Sequence, residues 1–138
     1  MKQGKYLSYY IRLFLIQFLP NEKGLSKNTI LAYRDTLKLL MRYCDEYMKV
    51  KIDKLSFDFV DDEIIRNFLK FIEQEKNCSV RTRNSRLAAL KTFFYYLGRE
   101  VPECLDNCRK ISSIPIKKFL IKQLNILIPT NLILFWAA

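Results

Sequence analysis

The chain has 138 residues, enough for one domain with a packed core and too few for two ordinary ones. Half of the residues are apolar, and 24 Lys plus Arg against 14 Asp plus Glu leave a formal charge of +10, which points to a polyanionic partner, nucleic acid before an anionic membrane surface. There is no histidine, and the three glycines (Gly4, Gly24, Gly98) stand far apart, so Ser–His, Cys–His and His-metal chemistry and a Gly-rich phosphate loop are excluded.

Apolar spacing predicts four helices. The first runs from about Tyr6 to Phe18, with Leu7, Ile11, Phe14, Leu15 and Phe18 on one stripe; Pro20 and Gly24 are expected to end it, with Asn21-Glu22-Lys23 as a polar turn. Ser26 is an N-cap candidate for the second helix. There Ile30, Tyr33, Leu37, Leu40, Cys44 and Tyr47 recur at steps of three and four, so one narrow face should be buried. Between Met48 and Val60 the period breaks, and alternating Leu55, Phe57 and Phe59 read as a short extended connection that tucks its aromatics under the bundle.

Asp61, Asp62 and Glu63 complement the positive end of the third helix, whose buried stripe is Ile65, Phe68, Leu69 and Ile72. After the turn Asn77-Cys78-Ser79, with Ser79 as N-cap, the fourth helix turns Leu87, Leu90, Phe94 and Leu97 inward, and Gly98 stands where a helix C-terminus is expected. From Val101 the periodicity fades. Pro102 and Pro115 bracket a stretch whose charge is carried by Arg109, Lys110, Lys117, Lys118 and Lys122, read as a basic arm or linker. Phe119–Ala138 is apolar but broken by Lys122, Gln123, Asn125, Pro129 and Asn131, so no run reaches the roughly 20 residues needed to span a bilayer.

Four cysteines, Cys44, Cys78, Cys104 and Cys108, occur without a recognisable signal peptide, which fits a reduced, cytoplasmic setting. Cys104 and Cys108 have a spacing open to metal ligation, but the other two lie far away; no metal site and no cofactor are expected.

The charge is clustered. Lys76, Arg81, Arg83, Arg86, Lys91 and Arg99 occur with no acid among them, whereas Asp61–Glu75 holds five acids against Arg66 and Lys70. On a helical wheel Arg81, Ser85, Ala88, Ala89 and Thr92 oppose the apolar stripe, a cationic and then small face that a DNA backbone can approach closely. Arg, Asn and Thr are the residue types that bond phosphates and base edges. Lys27, Asn28, Thr29 and Arg34 add a second basic patch, at a helix start whose free N–H groups suit a phosphate. Charge runs are commonly no more than solvated faces; two such patches and a basic arm weigh toward nucleic acid.

These residues also carry a resemblance. Gly24-Leu25-Ser26-Lys27-Asn28-Thr29-Ile30, with Tyr33-Arg34 and Leu37, resembles the opening G-L-S-x-N-T-x-x-x-Y-x-x-x-L of tyrosine recombinase (phage integrase) core-binding domains. Ser79 to Leu97, which contains Asn84-Ser85-Arg86-Leu87-Ala88-Ala89-Leu90-Lys91 and Phe93-Phe94-Tyr95-Tyr96-Leu97, is similar to their S-x-x-T-x-N-x-R-L-A-A-L-[KR]-x-F-F-x-Y-L helix. Ile114-Pro115-Ile116-Lys117-Lys118 looks like their linker, and all three occur in register over roughly Tyr6 to Lys118.

The resemblance implies an all-α, four-helix SAM-like bundle with a basic C-terminal arm and a short apolar tail, divided as a DNA-binding domain over 1–100, a linker over 101–118 and an atypical tail over 119–138 from a frameshift or truncation. It implies a double-stranded DNA half-site as partner, full-length recombinase protomers beside it, and no small-molecule substrate. The DNA-facing residues carried over are Lys27, Asn28, Thr29 and Arg34, then Arg81, Thr82, Arg83, Asn84, Arg86 and Lys91, with Lys117 and Lys118 as linker cations. Ser85 stands where many relatives have Arg, so no contact is carried over there. The family continues with two arginines, a His-x-x-Arg element and a nucleophilic tyrosine; none of that pattern occurs here, so no catalysis by this chain alone is implied. Competing readings are a helical repressor-like DNA binder whose tail dimerises, and a basic bundle held on a membrane by Phe119–Ala138.

Overall fold

The computed structural model of the chain describes residues 6–118. Their regular structure is entirely helical apart from one isolated bridge, between Tyr6 and Ser56. The order is α1 (Leu7–Leu13), a wide π segment (Phe14–Glu22), α2 (Lys27–Met48), α3 (Asp62–Gln74), α4 (Val80–Glu100) and α5 (Leu105–Ser112). Among these residues no helix is long and apolar enough to cross a membrane. The expected apolar tail, 119–138, lies outside the described residues.

The all-α SAM-like bundle expected from the sequence is what forms, with differences that have physical causes. Pro20 does not stop the first helix. The winding opens at Phe14, and Lys23 N–H reaches back to the carbonyl of Phe18 at 3.0 Å, a five-residue step. A wider turn accommodates a residue that has no N–H and would clash in a tight α-turn. The helical course thus continues through Asn21 and Glu22, and Gly24, at φ +63°, makes the reversal before Leu25. Ser26 caps α2 as its sequence suggests, accepting from the Thr29 N–H at 3.3 Å, and Asp61, expected only to complement the dipole, caps α3 by accepting from the Ile64 N–H at 2.9 Å.

Leu37, Leu40, Phe68, Leu90 and Phe94 all lie in one core, as their stripes predict. Phe14 is its aromatic centre. Its ring meets Phe18, Tyr33, Phe93 and Tyr96 at centroid distances of 5.1–6.1 Å, joining the π segment to α2 and α4. Tyr47, expected on the buried face of α2, is instead exposed and rests on Phe71 from outside. The connection after α2 buries Leu55 and Val60 fully and leaves Phe57 and Phe59 half-buried; Leu7 N–H donates to Leu55 O at 2.8 Å.

Two further corrections concern α4 and the segment after it. Gly98 does not end α4, which runs on to Glu100; Gly98 is buried, and a β-carbon there would stand 3.2 Å from Cβ of Cys108. The stretch read as a basic arm contains α5, which packs on that glycine and buries Cys104, Cys108, Ile111 and Ile114. The C-terminal half of α4 is therefore enclosed by the π segment on one side and α5 on another. Ala89, placed on the outer face by the helical wheel, is buried as well.

Candidate nucleic-acid interface

The exposed side of α4 is a strip of Arg81, Ser85, Ala88, Thr92 and Tyr95, at helical steps of three and four. Its middle is small because Ser85 and Ala88 carry little beyond Cβ. Tyr95 is 60% exposed, which sequence reasoning did not single out. Its position was legible: it lies seven residues after Ala88, on the same face.

Both helices that carry candidate residues begin with the same device. Ser79 Oγ accepts from Thr82 N–H at 3.1 Å and donates to Thr82 Oγ1 at 3.1 Å; Ser26 does the same with Thr29, at 3.3 and 3.0 Å. The threonine hydroxyls are thus held within the caps. Lys27, Asn28 and Arg81 are exposed in the first turns behind those serines, where unpaired backbone N–H groups and the helix dipole favour an anion.

The two starts are far apart. Tyr43 and Tyr47, near the end of α2, pack on Phe71 near the end of α3, from which the turn 75–79 leads into α4. At the other end Arg99, in the last turn of α4, pairs with Glu22, just ahead of Ser26. α2 and α4 therefore run antiparallel, and the 18 steps from Arg81 to Arg99 separate the starts by about 27 Å at 1.5 Å per residue.

The cations of α4 are not equivalent. Arg99 is committed to Glu22 and Glu100 at 3.2 and 3.3 Å and lies over the rings of Phe18 and Tyr96. Arg83, its side chain only 12% exposed, faces Glu73 at 3.8 Å. It donates to Asn84 Oδ1 at 3.0 Å and to the carbonyl of Pro115 at 3.3 Å, while its buried Nε has no hydrogen-bond partner. Asn84 bonds the backbone of Lys117. Arg81, Arg86 and Lys91 have no carboxylate within ion-pair distance among the described residues. Burial, with Arg83 nearby, lowers the Lys91 pKa below the ordinary lysine value.

The division into a basic and an acidic side is therefore incomplete. Glu73 belongs to the acidic helix yet serves the basic one, pairing with Lys117 Nζ at 2.9 Å as well as with Arg83. Lys118 is exposed at the end of the described residues. On α2, Arg34 is exposed and faces Asp35 at 3.3 Å. Lys38 and Arg42 continue its row at four-residue steps and rim, with Arg34, an apolar groove floored by Ile11, Leu15, Leu37, Met41 and Ile52. Sequence reasoning passed over both, although the row Arg34, Lys38, Arg42 is a visible signal.

The site offers cations, hydroxyls and helix termini. The described residues contain no cluster of metal-ligating side chains, and all four cysteines are free. Burial pushes the thiols of Cys44 and Cys108 up to about 11 and, with Cys108 beside it, that of Cys104 to about 12. Burial likewise pushes the Tyr96 hydroxyl up to about 12 and raises those of Tyr10 and Tyr43.

A family model described as phage integrase, N-terminal SAM-like domain, matches residues 11–101, from within α1 to the end of α4. A putative integrase/recombinase, y4rC, from Sinorhizobium fredii is 33% identical over 113 residues, which cover 82% of this chain and 34% of that protein. Tyrosine recombinase XerC of Leptospira interrogans is 32% identical over 85 residues, 62% of this chain and 25% of its own length. XerC of Herpetosiphon aurantiacus is 29% identical over 111 residues, with shares of 80% and 34%. The chain thus spans about a third or less of the length of these curated relatives. No solved structure matches it.

Proposed function

The chain belongs to the phage integrase (tyrosine recombinase) family through its N-terminal SAM-like domain, and we propose that it is a core-binding module that holds double-stranded DNA and performs no strand transfer on its own. The observation that carries this reading is the surface of α4, where exposed Arg81 and half-buried Arg86 and Lys91 have no carboxylate within ion-pair distance among the described residues and the exposed strip through Ser85 and Ala88 is small. Unpaired cations beside small side chains let phosphates come close and release counterions, which supplies most of the affinity for a duplex. Lys27, Asn28, Thr29 and Arg34 would form a second contact. Its separation from Arg81 is a large part of one turn of B-DNA, about 34 Å, so the module would grip a half-site at two levels. Full-length recombinase protomers are the partners that would supply chemistry at such a site, in the cytoplasm where their DNA lies.

The test is fluorescence anisotropy with a labelled duplex over a salt series. With about five phosphates neutralised, log K falls against log salt with a slope of about −4 to −5. Arg81→Ala and Arg86→Ala each weaken binding and flatten that slope by about 0.9, whereas Lys70→Ala on exposed α3 surface leaves both unchanged. A flat salt response, or equal losses at all three positions, refutes the assignment.

A further inference from the structure

The first turns of α4 hold the end of the bundle as well as its cationic patch. Asn84 Nδ2 donates to the carbonyl of Lys117 at 2.8 Å, and the Lys117 N–H donates back to Asn84 Oδ1 at 3.0 Å. One side-chain amide thereby treats Lys117 as a neighbouring strand would, satisfying both of its backbone groups. Arg83 adds a bond to the carbonyl of Pro115, and Glu73 from α3 draws in Lys117 Nζ at 2.9 and 3.2 Å. Just upstream Ile114 is buried. Residues 114–117 are thus fixed at four points by groups 32 to 44 residues away along the chain.

Arg83 is turned inward to this task. Glu73 and Arg83 have side chains only 19% and 12% exposed, so their attraction is less screened by water than that of a surface pair. Asn84 is half-buried with both ends of its amide used toward Lys117. Arg81 and Arg86, within one helical turn on either side, remain outside the arrangement.

We propose that Asn84, Arg83 and Glu73 form a clasp that fixes the course of the exit segment, residues 114–118, so that this segment and the cationic first turns of α4 move as one body. They are positioning residues. The clasp itself stands on geometry; that it orients the exit relative to bound DNA rests on the proposed function above.

The experiment is site-resolved amide hydrogen exchange on the full chain, with the Lys117 N–H as reporter and the Phe93–Leu97 amides as the folding control. In the unaltered protein Lys117 exchanges at least about tenfold more slowly than an unstructured amide. Asn84→Ala removes that protection, and Asn84→Asp, which keeps an acceptor oxygen, restores part of it. Glu73→Gln speeds exchange severalfold, and Arg86→Ala does not change it. Phe93–Leu97 stay protected throughout. Saturating duplex leaves Lys117 protected, with binding followed separately by anisotropy. The clasp is overturned if Lys117 is unprotected in the unaltered protein, if Asn84→Ala does not alter its exchange, or if bound duplex strips the protection. Absence of duplex binding with the exchange pattern intact overturns the DNA reading and leaves the clasp standing.

Discussion

Replacing Gly98 separates two meanings of a glycine near a helix end. As a terminator in a left-handed conformation, it would lose about 1–2 kcal/mol on acquiring any β-carbon. In the structure Gly98 is interior to α4, and the cost comes from α5. A β-carbon there meets Cys108 Cβ at 3.2 Å, Cys108 Sγ at 3.4 Å and Leu105 Cδ1 at 3.4 Å. Alanine must push these neighbours by a few tenths of an ångström, but it gains about 0.5–1 kcal/mol of helix stability over glycine, so Gly98→Ala should fall within about 1 kcal/mol of the parent. Valine adds two methyl groups into the same gap, and overpacking of a buried contact costs about 1–3 kcal/mol. At about 4 °C per kcal/mol for a chain between about 100 and 150 residues, Gly98→Val should lower Tm by roughly 8 °C. Thermal melts of both variants and hydrogen exchange across α5 are the assays, with the Leu105–Ser112 amides losing protection before those of α2 and α3. The reasoning fails if alanine costs as much as valine, or if valine shifts Tm by less than about 2 °C.

Leu90→Ala, which empties a fully buried position, should cost about 2–5 kcal/mol in urea denaturation, and a loss below about 0.5 kcal/mol would place that side chain at the surface. Cys78 is half-buried, and burial raises its thiol pKa while Arg86 beside it opposes the shift. It should still be the first thiol alkylated near pH 8, because it is the least buried of the four and a group with a pKa of about 11, such as Cys108, is ionised there in only about one molecule in a thousand; equal rates at Cys78 and Cys108 would contradict the packing of α5. On a nicked suicide half-site no denaturant-resistant protein–DNA adduct should form, since Tyr96 is buried with its pKa pushed up to about 12 and the chain has no histidine to assist an exposed tyrosine; a reproducible adduct band would refute this.

What was legible in the sequence was what is settled locally. The serine caps at 26 and 79 were readable because each accepts from a backbone N–H three residues on, a distance that sequence preserves; Asp61, read only for its charge at the start of α3, turns out to cap that helix in the same way. The apolar stripes of α2, α3 and α4 were readable for the same reason. Pro20 and Gly98 misled because both have strong local meanings that packing overrode, the first through a wider helical turn and the second through a helix that needs the space. α5 was present in the spacing Cys104, Cys108, Ile111, Ile114, but the basic charge and the prolines on either side of it read as an arm; both cysteines are buried as small apolar residues, Cys108 against Gly98.

The candidate site marks the deeper boundary. A census of charge can find a run of cations, yet it cannot say which already have partners, because those partners are distant in sequence. Glu73 and Lys117 lie 44 residues apart, and Asn84 and Lys117 lie 33 apart. Arg81, Arg83 and Arg86 are chemically alike and nearly adjacent, but only Arg83 points where α3 and the exit segment converge. Counting all of them as available for DNA overstates the free charge of that face, and treating Asn84 as a reader of bases overlooks that its amide is already engaged. The proposed contact with phosphate therefore rests on the charge left over after folding, and among the described residues of α4 that remainder is Arg81, Arg86 and Lys91.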